Sequence, residues 1–131
     1  THTPEDYMSD HVAVAHLVFD ATFAASLPHY RTASGEGFAD LCPVYYMDNL
    51  GGFHFEPTEY VDISDTFDIK MKMLACHESQ MKCMREHDKI DFTDTVRTFA
   101  RMRGLQSGVL YAEGFKQMLG WGRVRTCRVL P

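Results

Sequence analysis

Several functional classes need features that this 131-residue chain lacks. No apolar run comes near the roughly 20 residues needed to cross a bilayer, and the N-terminus has no charged-then-apolar leader pattern. Basic residues are not clustered. The 13 Lys and Arg against 18 Asp and Glu give a net charge of -5, whereas a nucleic-acid footprint would show as a basic stripe. There is no Cys-x-x-Cys pair: Cys42, Cys76, Cys83 and Cys127 are scattered through the chain. A chain of this size does not need disulfide staples, so reduced, buried thiols in a cytoplasmic protein are the expectation. No internal repeat, low-complexity tract or interdomain linker interrupts it. The start, Thr1-His2-Thr3-Pro4, has no initiator Met and reads as the continuation of a longer sequence.

The 45% hydrophobic and 24% charged residues are the make-up of one globular domain or part of one. From Ser9 to Ser26, Val12, Ala15, Val18, Phe19, Thr22 and Phe23 fall on one helical stripe, with Ser9 placed to cap it and Asp10 in its first turn. Residues 32–40 read as a loop, 43–47 as a short strand, and 60–63 as a second. A helix is expected from a Ser64 cap to about Arg85, and another over 91–103 stopped by Gly104 or Gly108. Residues 109–119 fit either a strand or a short helix, and 124–130 an edge strand. Alternating strands and helices predict an α/β fold with a mainly parallel sheet.

The densest polar cluster is Pro4-Glu5-Asp6-Tyr7-Met8-Ser9-Asp10-His11, where an extended segment meets the first helix. In open α/β sheets ligands sit beyond the carboxyl ends of strands. A His in the first turn of such a helix can point into that crevice, with Asp10 placed to hold a ring N–H. The plainer alternative is a capped helix start with a solvated His11. Cys83 and His87, with Cys76 and His77, do not make a zinc site, because one straight helix cannot converge four ligands. His2, His16, His29 and His54 have no partners at metal spacing and read as loop or surface residues. The Met71, Met73, Met81 and Met84 stretch reads as core filler.

Three blocks, in order, resemble the LmbE-like (PIG-L) family of zinc-dependent N-deacetylases. Residues 4–14 are similar to its Pro-x-Asp-Tyr-His-Pro-Asp-His-x-Ala-Val segment. Val61-Asp62-Ile63-Ser64-Asp65, followed by Lys70, Leu74, His77, Ser79 and Gln80, is similar to its Val-Asp-Ile-Thr-Asp and His-x-Ser-Gln block. Tyr111-Ala112-Glu113-Gly114-Phe115 resembles its Tyr-Ala-Glu-x-Phe. The resemblance implies the C-terminal part of a Rossmann-like three-layer α/β sandwich. It also implies hydrolysis of an N-acetyl group, commonly on an N-acetylglucosaminyl compound, by water that Zn2+ activates.

In that family the metal is held by a His and an Asp of an N-terminal Ala-His-Pro-Asp-Asp motif and by the last His of the second motif, here His11. This chain has no His-Pro-Asp-Asp. The resemblance therefore implies an inactive half that needs an N-terminal half or second chain, and the alternative is a non-catalytic binding or scaffold fragment. Met8 stands where relatives carry a His that assists the leaving amine, and a thioether cannot donate a proton. Asp10 matches the family Asp that orients that His, and His77 is the replacement acid in this chain, against the plainer role of a packing histidine. Glu113 is assigned a structural hydrogen bond to the backbone ahead of a contact with a substrate hydroxyl.

Overall fold

The computed structural model describes residues 1–33, 35, 36 and 39–124, arranged as two compact units. The first comprises residues 1–58 and the chain from Phe115 onward, and the second comprises 59–114. Among the described residues, four helices and short strands make a mixed α/β architecture. None of the described helices is long and apolar enough to cross a membrane.

The first unit holds α1 (Ser9–Ala24), a minimal hairpin of β1 (Arg31–Thr32) and β2 (Gly35–Glu36), and β3 (Tyr45–Met47). It also takes the second half of β5 (Ala112–Gln117). β3 and β5 are antiparallel, with Tyr45 opposite Gln117 and Met47 opposite Phe115; β1 and β2 are antiparallel too. The other side of β3 runs the opposite way. The Thr1 amino group donates to Tyr45 C=O at 2.9 Å, and Met47 N–H donates to Thr1 C=O at 2.9 Å. One residue bracketed in this way by residues i and i+2 of its neighbour is a parallel rung. The expected mainly parallel sheet is thus corrected to a mixed one, in which antiparallel pairing sits beside a parallel start.

Helix α1 follows the expected stripe in part. Ala15 is buried and Val12, Val18 and Thr22 are half-buried, but Phe19 and Phe23 of the same stripe stay exposed. On the outer face Leu17 is 66% exposed and Val14 is also open. A helix apolar on more than one face suits cover on more than one face. Ser9 does not cap it: Met8 holds that position, with no side-chain cap bond.

In the second unit β4 (Glu59–Asp62) and the first half of β5 accompany α2 (Phe67–Ala75), α3 (Glu78–Glu86) and α4 (Phe92–Ser107). The single helix expected over 64–85 is two. His77, at φ -83° and ψ 58°, leaves helical geometry, and both pieces then pack on α4. Ser64 is not a cap either. Its hydroxyl donates to Asp62 at 2.6 Å and accepts from Tyr111 N–H at 3.2 Å, tying the end of β4 to the start of β5. Phe67 is buried and stacks on Tyr111 with ring centroids 3.7 Å apart.

Helix α4 starts on Asp91, whose carboxylate accepts from Asp94 N–H, a cap worth about 1 kcal/mol. It ends at Gly108, whose φ of 79° suits glycine. Gly104 continues the helix instead of stopping it. A Cβ there would lie 2.6 Å from Leu110 C=O, so the chain can double back only over a glycine.

Cys42, Cys76 and Cys83 are free as expected, but exposed instead of buried. The strand expected over 124–130 lies outside the described residues except for Val124, as does Cys127.

Candidate metal-binding cluster

The extended segment leaves its rung at Thr1 and turns at once. Pro4 sits at the second position of a turn closed by Asp6 N–H on Thr3 C=O at 3.3 Å, where its fixed φ is already suitable. The buried Asp6 then accepts from Met8 N–H through Oδ1 at 3.0 Å, an Asx-type bond that leads the chain into α1. The reversal lays residue 2 against the first turn of the helix.

Three side chains meet there. Donor atoms of His2, Asp6 and His11 all lie within 4.8 Å of one another. His11 Nδ1 is 3.0 Å from Asp6 Oδ2; the Asp6 side chain is fully enclosed and that of His11 is 26% exposed. The rings of His2 and His11 stack, centroids 3.8 Å apart and planes 10° from parallel.

Burial pushes the Asp6 carboxyl up, but Met8 N–H, the His11 hydrogen bond and the His11 and His2 charges together hold it below its usual value. An ionised carboxylate only accepts, so His11 Nδ1 is the donor to Asp6, and in the neutral ring it is Nε2 that carries the lone pair. His2 is also lowered, first by burial and then by the His11 charge, against a smaller upward pull from Asp6 and Asp10. Both groups are therefore held in the forms that dominate at neutral pH.

A depressed folded-state value adds stability above the unfolded value, and that stability is lost as pH falls through the folded one. For His2 the loss begins below about 6.5, and for Asp6 below about 3.9. The midpoint of urea unfolding is expected to fall as pH drops from 7 to about 3, and His2→Phe to flatten the part above about pH 4, where His2 and not Asp6 titrates. A midpoint constant over this range, or rising toward acid, would sink this electrostatic description.

The cluster corrects two sequence-based expectations. His2, expected to be an ordinary surface residue, stacks on His11. The partner that holds the His11 ring N–H is Asp6, five residues back, and not Asp10, which is exposed in the first turn of α1. The signal available in the sequence was the Pro4-Glu5 turn that brings positions 2 and 6 back to position 11. Met8 is 40% exposed at the helix entry.

His77 belongs to the second unit, exposed at the junction of α2 and α3. Its backbone N–H donates to Leu74 C=O and its C=O accepts from Met81 N–H. Glu113 is engaged by the Lys70 side chain at 2.6 Å, both side chains half-buried, in place of the backbone hydrogen bond expected of it. His87 pairs with Asp88 at 2.7 Å.

As to metal, both Asp6 oxygens are engaged and His11 Nε2 is free of Asp6, so this donor set suits an ion bound through His11 Nε2. The carboxylate behind the ring fixes its tautomer and its orientation.

No protein-family model matches the sequence. The chain is 30% identical over 120 residues to the diacetylchitobiose deacetylase of Thermococcus kodakarensis, a match covering 89% of this chain and 42% of that protein. It therefore spans less than half the length of that relative. Its fold is similar to part of the crystal structure of GalB, the 4-carboxy-2-hydroxymuconate hydratase, from Pseudomonas putida KT2440. The TM-score is 0.68 at 21% identity, covering all of this chain and 54% of that one.

Proposed function

We propose that the chain is one part of a metal-dependent N-deacetylase of the LmbE-like family and that His11 is its contribution to the metal centre. The carrying observation is the enclosed Asp6 carboxylate on His11 Nδ1, which leaves Nε2 as a donor nitrogen. The similarity to diacetylchitobiose deacetylase over nearly the whole chain supports the reaction class. The remaining donors come from a segment or companion chain outside residues 1–131, since the sequence has no His-Pro-Asp-Asp. The open apolar face of α1, with Val14 and Leu17, supports such a cover.

The ion in this reading is Zn2+, which, held by His11 and the remaining donors, would polarise the acetyl carbonyl and lower the pKa of water. Asp6 fixes the His11 ring, and Asp10 supplies negative charge at the mouth of the cluster. Met8 cannot protonate the leaving amine, and His77 is assigned that proton. The substrate is an N-acetylglucosaminyl-type small molecule. Exposed free thiols at Cys42, Cys76 and Cys83 suit a reducing compartment, which supports the cytoplasmic location in this reading.

The test is acetate release from N,N'-diacetylchitobiose by the chain joined to its complementary part. Release is expected, lost on chelation and restored by Zn2+. Full turnover after exhaustive zinc removal would refute metal dependence, and zinc-loaded protein that releases no acetate from any N-acetylglucosaminyl compound would refute the substrate class.

A further inference from the structure

Three candidate donors surround one point in the cluster, but their geometry does not let them act alike. An imidazole nitrogen binds an ion in the plane of its ring, along its lone pair. The His2 and His11 planes are 10° from parallel at a centroid separation of 3.8 Å. An ion in the plane of one stacked ring lies farther from the other plane than the whole metal–nitrogen bond of about 2.1 Å. The two histidines cannot ligate one ion as they stand. Asp6 is committed through both oxygens, to Met8 N–H and to His11 Nδ1.

We infer that His2 is a positioning residue: its ring is a platform that, with Asp6 at the edge, holds His11 in one orientation with Nε2 presented. Two restraints of different kind fix the ring. The hydrogen bond to Asp6 sets its tautomer and in-plane direction, and the stack prevents rotation about the Cβ–Cγ bond. His2 is itself placed by the Thr1 rung on β3 and by the turn over 3–6. A flat ring is what the platform needs, so phenylalanine can replace His2 and alanine cannot. The inference rests on the assignment of His11 as a ligand only for its consequence on metal affinity.

The test uses protein labelled with 15N-histidine, titrated with Zn2+ and followed by long-range proton–nitrogen correlation spectra. His11 Nε2 is expected to take the coordination shift and neither His2 nitrogen to do so. In His2→Phe, the His11 ring protons keep their upfield stacking shift and zinc affinity stays within about twofold of wild type. In His2→Ala that shift is lost and affinity falls about tenfold, the range for partners that orient a ligand. A coordination shift on His2, or equal loss of affinity in His2→Phe and His2→Ala, would overturn the platform role. Zinc that leaves His11 unshifted would instead refute the metal reading. The platform is then judged on the ring shifts alone, and equal His11 spectra in His2→Phe and His2→Ala would overturn it.

Discussion

His11→Ala, in the chain joined to its complementary part, is expected to lower zinc affinity and acetate release together by more than about 100-fold. Replacing a group that only orients a ligand costs about 10- to 100-fold in affinity, and removing the ligand itself exceeds that. The substitution also leaves Asp6 enclosed without the ring that shares its charge, so some stability is lost as well. His11→Gln separates the two effects, because its amide can still donate toward Asp6. Wild-type zinc content by elemental analysis in a folded His11→Ala protein would remove His11 from the metal centre.

His77→Gln is expected to reduce turnover by about 10²-fold, the lower end for general acid–base catalysis. A tetrahedral intermediate collapses to amine only after the nitrogen is protonated, and a neutral amide cannot supply that proton. His77 is exposed at the break between α2 and α3 and holds its place through backbone bonds that glutamine can also make. Zinc content and melting temperature are therefore expected to change little. A lowered melting temperature with unchanged turnover of the folded fraction would make His77 a packing residue and leave the acid elsewhere.

The features legible in the sequence are those set by neighbours along the chain. Asp91 and Gly108 bound α4 because an Asx cap and a left-handed glycine need only local backbone. The apolar period identified α1, and Asp10 in its first turn follows from the dipole. The break at His77 was not legible, since no Pro or Gly marks it. It follows from the packing of two short helices on α4. The antiparallel pairing of β3 with β5 joins residues some 70 positions apart in sequence, and no local pattern sets strand direction.

The site divides in the same way. His11 stood out from the cluster and from the resemblance that the cluster carries. His2 and Asp6 did not, because their roles depend on a reversal between residues 3 and 8 that turns a run of polar residues into one contact. Asp10, adjacent to His11 in sequence, drew the role that belongs to Asp6. Neighbouring positions at the start of a helix point in different directions, and five residues back across a turn is nearer than one along it.

The most direct test of the metal assignment is an anomalous difference map at the zinc edge, from crystals of the complete protein grown with Zn2+. The expected result is a peak about 2.1 Å from His11 Nε2, with Nδ1 still on Asp6 and no zinc bonded to His2. No peak at His11, or a peak on its Nδ1 with Asp6 displaced, would contradict it.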